Sequence, residues 1–239
     1  MMILTILQAR MSSSRLPGKV MRPILGKPMI GCQIERLRRS VRLGELVVAT
    51  STDPGDDVVA DYCRGLGCRV HRGPLADVLA RYAGALEAFG PADHVVRLTA
   101  DCPLADWRVI DACIDLHLER GADYTSNTVD RTFEKGLDVE VFRAELLPEI
   151  AATTQDPYDR EHVTPYFYRN PDRFRIAQLT QEAARPEVRW TVDTLEDFRF
   201  TTAVYEALYP ADPAFLSEDI RRIEPSLHRE LGITGWRLD

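Results

Sequence analysis

The segment QARMSSSRLPGKV, residues 8–20, concentrates side chains that could do chemistry directly behind a short apolar run. Its three cations are Arg10, Arg15 and Lys19, and they share the loop with serines 12–14. A loop between a strand and a helix presents backbone N–H groups that bind phosphate, and cationic side chains add charge. The composition therefore predicts a polyphosphate site in which the three cations converge and the serines donate hydrogen bonds. A solvated basic turn is the alternative.

Two common phosphate-binding motifs do not fit this loop. A Walker loop requires Ser or Thr after Gly18-Lys19, where the chain has Val20, and glycine where the chain has Ser13. A dinucleotide fingerprint is also absent, because the glycines at 65 and 67 follow no predicted strand and lack a third glycine. The loop is therefore expected to bind phosphate in a different way.

Two later strands are predicted to end on the same Arg-x-Thr-x-Asp pattern, at 97–101 and at 189–193. Alternate side chains of a strand face one way, and each Asp would stand about 13 Å from its Arg, too far for a pair within the strand. Asp101 and Asp193 would lie at the edge where parallel sheets bind ligands. Two carboxylates brought together there repel unless a cation lies between them, which suits Mg²⁺. The alternative makes Asp193 a helix N-terminal acid and Asp101 a turn former.

Alternating strand and helix patterns are expected to position these residues. The predicted strands are 2–7, 45–51, 68–72, 93–99, 122–127, 137–142, 174–180 and 188–192. The predicted helices are 28–39, 56–66, 75–89, 109–120 and 194–209, and the segment 160–171 begins as a helix. The βαβαβ order predicts an α/β fold with a mainly parallel sheet and helices on both faces. After about residue 125 the alternation becomes irregular, which predicts a small β-rich insertion.

Composition excludes several classes of protein. The net charge of −7 argues against a nucleic-acid polymer as partner, because such binders usually carry a basic face. No apolar stretch approaches the ~20 residues of a membrane span, and the N-terminus lacks a signal peptide, so we expect a cytoplasmic protein with no membrane partner. Five scattered cysteines without a CxxC motif predict reduced, buried thiols rather than disulfides or a zinc site.

Five motifs carry a resemblance to a known family. In order along residues 3 to about 200 they are QARMSSSRLPGK, RLTADCPL, GLDVEVF, REHVTPYFY and RWTVDTLEDF. Together they resemble the SpsF-like sugar cytidylyltransferases of spore-coat polysaccharide biosynthesis, relatives of the CMP-KDO and CMP-sialate synthetases. The resemblance implies a Rossmann-like fold of the nucleotide-diphospho-sugar transferase type and a homodimer. It also implies Mg²⁺-dependent coupling of CTP to a sugar acid, of the 3-deoxy-2-ulosonic or nonulosonic type, with release of pyrophosphate.

The resemblance further implies roles for individual residues. The nucleotide-binding set is Gln8, Ala9, Arg10, Ser12, Ser13, Arg15, Lys19 and Thr99. The implied catalytic residues are Arg15, Lys19 and Asp101, and the implied metal ligands are Asp101 and Asp193. The implied substrate-binding residues are Asn127, Asp138, Glu140 and His162, with a structural role for Glu140 and His162 left open. Glu134-Lys135 stands where relatives often carry a proline, which indicates that the part of the site that binds the sugar differs from theirs.

Other functions stay open beside this one. A glycosyltransferase using a nucleotide-sugar would typically hold its metal with Asp-x-Asp, whereas this strand ends Asp101-Cys102-Pro103. A nucleotidyltransferase with a non-sugar acceptor, such as a phosphonate, shares the nucleotide site. A nucleotide-sensing module without chemistry is disfavoured because both acids and all the loop cations are present.

A single domain is expected over residues 1–239, with 128–180 as an insertion or dimerisation subregion. The apolar segments 141–150 and 164–171 could form an exposed patch that a second copy covers, which supports the homodimer. Packing of these segments in the core is the alternative.

Overall fold

Seven strands form one mainly parallel sheet in the computed structural model, which describes residues 1–233. Its strands, in chain order, are β1 Ile3–Gln8, β4 Glu45–Ser51, β5 Arg69–Gly73, β6 His94–Thr99, β7 Tyr124–Ser126, β8 Glu140–Arg143 and β9 Ile176–Gln178. A separate hairpin pairs β2 Pro23–Ile24 with β3 Lys27–Pro28. The spatial order is β5-β4-β1-β6-β8-β7-β9. Strands β5, β4, β1 and β6 are parallel, β8 is antiparallel to β6 and β7, and β9 is parallel to β7.

Helices cover both faces of this sheet. They are α1 Met29–Leu37, α2 Asp57–Gly65, α3 Val78–Phe89, α4 Trp107–Arg120, α5 Leu146–Thr153, α6 Pro157–His162, α7 Pro165–Tyr168, α8 Leu195–Leu208 and α9 Ser217–Leu231. Neighbouring strand residues separate into two cores, since Val47 and Val95 pack with α3, whereas Val48 and Val96 pack with α1 and α4. This alternation is the period of two that a buried parallel strand requires. The predicted α/β, Rossmann-like fold class is confirmed.

The polar ends of the helices follow local sequence rules. Asp77 and Asp106 accept hydrogen bonds from the first turns of α3 and α4, and Thr194 forms a capping box with Asp197 at the start of α8. Among residues 1–233, no helix combines the length and the apolar character that a membrane crossing requires.

One predicted strand does not form. Residues 188–192 make only an isolated bridge, between Arg189 and Lys135, and belong to no strand. The alternation that suggested a strand arises because Val188, Trp190 and Val192 are buried in the core while the chain runs irregularly. The predicted strand at 137–142 is shorter than expected and begins at Glu140.

The segment after residue 125 is mixed rather than β-rich. Strands β8 and β9 extend the main sheet, and helices α5, α6 and α7 lie between them in the sequence. The single domain over 1–239 stays a prediction, and residues 234–239 lie outside the described residues.

The exposed apolar patch expected at 141–150 and 164–171 is wrong. Phe142, Leu147, Ile150 and Phe167 are almost fully buried and pack together against α3. These side chains are apolar because they fill the second core, so they give no support to a dimer surface. The five cysteines are all free and buried, as predicted.

Candidate functional site

A cleft of about 360 Å³ lies at the carboxyl ends of β1 and β6. Its volume falls within the roughly 300–1,000 Å³ of typical small-molecule sites. The predicted site residues that line it are Gln8, Ala9, Arg10, Ser13, Arg15, Lys19, Thr99, Asp101, His162 and Asp193. The cleft therefore gathers residues from the first loop, the central strand, the middle of the chain and the start of α8.

The loop after β1 is fixed by its own turns and by one buried acid. Gly18 adopts a left-handed conformation, with φ of 70°, before the short 3₁₀ turn at Lys19–Met21, and its N–H donates to the Met11 carbonyl at 2.9 Å. The Met11 N–H donates in turn to Asp56 Oδ1 at 2.6 Å. Asp56 is buried, and its other oxygen accepts hydrogen bonds from Ser51. These contacts hold the loop cations over the cleft.

Lys19 joins the two aspartates. Its Nζ donates to the Val192 carbonyl at 2.6 Å and to Asp193 Oδ1 at 2.8 Å, and it lies 3.7 Å from Asp101 Oδ2. The side chain is only 10% exposed. The first loop and two acids that are distant in sequence therefore meet at one ammonium group, whereas the sequence led us to expect a metal ion between the acids.

Asp193 is surrounded by cations. Besides Lys19 it pairs with Arg15 at 2.8 Å and with Arg189 at 2.5 Å. Burial opposes ionisation of Asp193, but the hydrogen bond and charge of Lys19, with Arg15 and Arg189, lower the pKa of its carboxyl. The prediction that Arg189 is too far from Asp193 to pair is wrong, because residues 189–193 do not form an extended strand.

Asp101 is less engaged. Its Oδ1 accepts a hydrogen bond from the Thr99 hydroxyl at 2.5 Å, and its side chain is 31% exposed. Its Oδ2 faces only the ammonium of Lys19, at 3.7 Å, within the part of the chain that the structure describes. Asp101 is therefore the carboxylate with an oxygen available to a ligand.

The pair of acids fits a divalent cation that arrives with a phosphate. Among residues 1–233, no group of three or more His, Cys, Asp or Glu side chains could hold a metal ion by itself. Mg²⁺ usually binds one or two carboxylates and completes its shell with water and phosphate oxygens. Asp101 and Asp193 supply that number of carboxylates, with the ammonium of Lys19 beside both.

The opposite side of the cleft contains a buried ion pair. Arg97, which lines the cleft, pairs with Glu140, whose other oxygen accepts hydrogen bonds from Tyr124 at 2.7 Å and Thr164 at 2.5 Å. Burial works against the charge of Arg97, but Glu140 raises the pKa of the guanidinium above its ordinary value. Glu140 is 6% exposed and is the internal counter-ion of Arg97, so its oxygens are not free for a substrate.

Four predicted binding residues lie outside the cleft lining, namely Asn127, Asp138, Glu140 and Ser12. Asn127 is fully buried, and its amide group bonds to the backbone of Leu137 and Val139 at 2.7 and 2.9 Å. Asp138 forms a two-point ion pair with Arg131, at 2.6 and 2.9 Å. Their polar atoms therefore hold the segment between β7 and β8 in place. Ser12 is exposed on the loop, and Ser14 lines the cleft instead.

Sequence reasoning missed other residues of the cleft. They are Val20, Val78, Arg81, Arg97, Ala100 and Glu161. Arg97 belongs to the Arg-x-Thr-x-Asp pattern, so its position at a strand end was a usable signal. Arg81 stands three residues after Val78 on the buried stripe of α3, where a charged side chain is unusual.

Comparison with known proteins identifies several relatives. The sequence pattern described as "Cytidylyltransferase" matches residues 4–219. The spore coat polysaccharide biosynthesis protein SpsF of Bacillus subtilis is 36% identical over 212 residues, covering 85% of this chain and 86% of that protein. A 3-deoxy-manno-octulosonate cytidylyltransferase of Anaeromyxobacter dehalogenans is 29% identical over 242 residues, covering 98% and 90%. The solved structure of a cytidylyltransferase from Leptospira borgpetersenii superposes with a TM-score of 0.89 at 32% identity, covering 95% of this chain and 96% of that one.

Proposed function

The chain belongs to the cytidylyltransferase family and is a nucleotidyltransferase, and from this we propose that it couples CTP to a sugar acid, forming a CMP-sugar and pyrophosphate. One observation carries the proposal beyond the family. Lys19 of the first loop lies between Asp101 and Asp193, at the carboxyl end of the sheet. The same cleft presents Arg10 and Arg15, so a triphosphate entering it would meet cations along the whole loop.

The reaction requires little covalent chemistry from the protein. An acceptor oxygen attacks the α-phosphorus of CTP, the bond from that phosphorus to the bridging oxygen breaks, and pyrophosphate leaves. Lys19 and Arg15 neutralise the charge that grows on the leaving group, and one such contact is worth about 3 kcal/mol in the transition state. Holding the two reactants in line supplies much of the remaining rate acceleration.

Asp101 and Asp193 would hold a Mg²⁺ ion in this reaction. When bound, the ion would neutralise charge on the phosphate oxygens. The protein's own part is to orient Asp101 through the Thr99 hydrogen bond while leaving it accessible, and to orient Asp193 through Lys19, Arg15 and Arg189.

The acceptor is proposed to be a sugar acid, in surface polysaccharide or glycan biosynthesis. Two relatives support this class, since one is named for spore coat polysaccharide synthesis and the other for cytidylyl transfer to 3-deoxy-manno-octulosonate. In this chain His162, at the end of α6, and Arg97 also line the cleft and are the residues proposed to contact the acceptor. A homodimer also belongs to the proposal, on the family resemblance alone. A particle of 27.0 kDa by light scattering at micromolar concentration would contradict it.

A thermal-shift panel tests the nucleotide. Each of the four common ribonucleoside triphosphates is added with and without Mg²⁺, and CTP with Mg²⁺ should raise the melting temperature most. A ligand at 100 times its Kd stabilises by about 2.7 kcal/mol, or roughly 5–11 °C for a protein of this size. An equal response to all four nucleotides, or no response to CTP, would contradict CTP as the substrate.

A further inference from the structure

Arg81 is a buried cation on the wall of the cleft. It lies on α3, its side chain is 1% exposed, and it is one of the residues that line the cleft. A β-carbon at Gly73 would lie 3.1 Å from the Arg81 Cα, Cβ and Cγ atoms, so the glycine at the end of β5 makes room for it. The fold therefore places a charged side chain in a position that a small apolar residue could fill.

Arg81 has no counter-ion in the described structure. Its Nε and Nη1 atoms are buried without a hydrogen-bond partner, and its side chain makes no ion pair within residues 1–233. The charge of Asp56 reaches Arg81, but both oxygens of Asp56 already accept hydrogen bonds, from Met11 and Ser51. Buried polar groups in native proteins are nearly always paired, so donors left free at a cleft point to a ligand.

A second arginine adds to the uncompensated charge. Arg10 lines the same cleft, and its side chain forms no ion pair or hydrogen bond with the described part of the chain. Burial lowers the pKa of Arg81, and the nearby positive charge of Arg10 lowers it further. Two like charges that make no ion pair within residues 1–233 form a site that is complementary to an anion.

Arg36 shows what a structural buried arginine looks like in this protein. It is 2% exposed, and its Nε and Nη2 donate to the Ala105 and Phe215 carbonyls at 2.8 and 3.0 Å. Its guanidinium also stacks on the Phe215 ring, 4.1 Å from the centroid. Arg36 is absent from the cleft lining. Arg36 leaves one nitrogen, Nη1, buried without a partner, whereas Arg81 is equally buried and has no carbonyl partner for either Nε or Nη1.

We propose that Arg81 and Arg10 form an anion subsite, distinct from the Lys19–Asp193 end of the cleft, that binds a phosphate or carboxylate group of a substrate. The buried guanidinium supplies two directed N–H donors, and Arg10 supplies a second charge from the cleft mouth. The subsite deepens the proposed function and rests on it, because CTP and a sugar acid are the two sources of such an anion.

The test compares Arg81→Met with the matched control Arg36→Met in the full-length chain. Calorimetric titrations use four probes: inorganic pyrophosphate, CTP, 3-deoxy-manno-octulosonate, and cytidine, which carries no anion. Arg81→Met should weaken binding of pyrophosphate and CTP, or of the sugar acid, by about 10- to 100-fold, as expected for lost hydrogen bonds to a charged group. Whichever probe loses affinity identifies the source of the anion. Arg36→Met should leave every Kd unchanged.

Melting temperatures of the ligand-free variants provide a second readout. Arg81→Met should melt at or above the wild-type temperature, because it removes an unpaired buried charge, whereas Arg36→Met should melt below it. The variant Arg81→Lys, which keeps the charge but loses the planar fork, should bind the affected probe with intermediate affinity. If the methionine variant does not fold, Arg81→Lys tests the subsite in its place.

Several results would overturn the subsite. They are unchanged affinity for pyrophosphate, CTP and sugar acid in both Arg81 variants, a loss of affinity for cytidine equal to that for CTP, or a lower melting temperature for Arg81→Met than for Arg36→Met. Wild-type affinity for both CTP and the sugar acid that survives in the Arg81 variants contradicts the subsite alone. A wild-type chain that binds none of the probes contradicts the subsite and the proposed function together.

Discussion

Replacing Asp101 by asparagine should abolish most turnover while leaving the fold intact. The substitution keeps an Oδ1 that accepts the Thr99 hydrogen bond, and it removes the charge that faces Lys19 at 3.7 Å. Loss of one contact to the reacting phosphates costs about 3 kcal/mol, which corresponds to a 100- to 1,000-fold decrease in kcat. The variant tests the proposed metal ligand directly because its structural contacts are few.

The stability change should be small for a physical reason. Asp101 is 31% exposed and its contact with Lys19 is long, and such partly exposed pairs contribute about 0–1 kcal/mol. The melting temperature should therefore fall by no more than about 2–4 °C. Asp193→Asn provides the contrast, because it leaves Lys19, Arg15 and Arg189 without their acid. Breaking a buried pair of this kind costs about 3 kcal/mol or more, or roughly 6–12 °C.

The assay is continuous detection of pyrophosphate from CTP and a sugar acid, at increasing Mg²⁺, paired with calorimetric melting of each variant. Asp101→Asn should lose kcat and melt almost as the wild type does, whereas Asp193→Asn should lose both activity and stability. Wild-type turnover by Asp101→Asn at saturating Mg²⁺ would refute its role as a metal ligand. A melting temperature more than 10 °C below the wild type would refute the view that its structural contacts are weak.

Three further predictions concern other parts of the molecule. Lys19→Met should reduce kcat at least about 100-fold. It should also move the acid limb of the pH–rate profile to higher pH, because Lys19 lowers the pKa of Asp193, and an acid limb at the wild-type pH would contradict this. Burial lowers the pKa of His117 to about 4. The unfolded chain binds this proton near pH 6.5, so the stability that neutral His117 contributes above pH 6.5 should fall by about 2 kcal/mol at pH 5. Urea unfolding at the two pH values measures this loss, and the His117→Gln variant should not show it. Glu134→Gln removes a fully buried carboxylate that pairs with the partly exposed Arg221 and Arg185, and should cost about 3 kcal/mol in urea unfolding; a loss below about 1 kcal/mol would contradict it.

The α/β core could be predicted from the sequence because its strands are continuous apolar runs between amphipathic helices. Residues 188–192 show the limit of that reasoning. The pattern at Val188, Trp190 and Val192 alternates as in a strand. It arises because these side chains are buried along an irregular segment, which forms only one bridge, to Lys135. Phe142 and Phe167 looked like a free surface because the helix that covers them, α3, lies far away in the sequence.

The candidate site was likewise predictable from the sequence only in part. Arg15, Lys19 and Asp101 could be located because their types and their positions after strands already indicate phosphate and metal chemistry. The misplaced residue Asn127 bonds to backbone that comes close only after folding. Arg81 could not be assigned to the site from the sequence, because the role of an arginine within a helix depends on its neighbours in the fold. Those neighbours leave two of its donor nitrogens without a hydrogen-bond partner.

Label transfer from CTP tests the central claim most directly. The protein is mixed with CTP labelled at the α-phosphate, Mg²⁺ and a panel of sugar acids that includes 3-deoxy-manno-octulosonate, and both labelled product and pyrophosphate are measured. We predict a labelled CMP-sugar with one acceptor, and pyrophosphate in equal amount. Transfer of a sugar from a preformed nucleotide-sugar, with no pyrophosphate released from CTP under any condition, would contradict it.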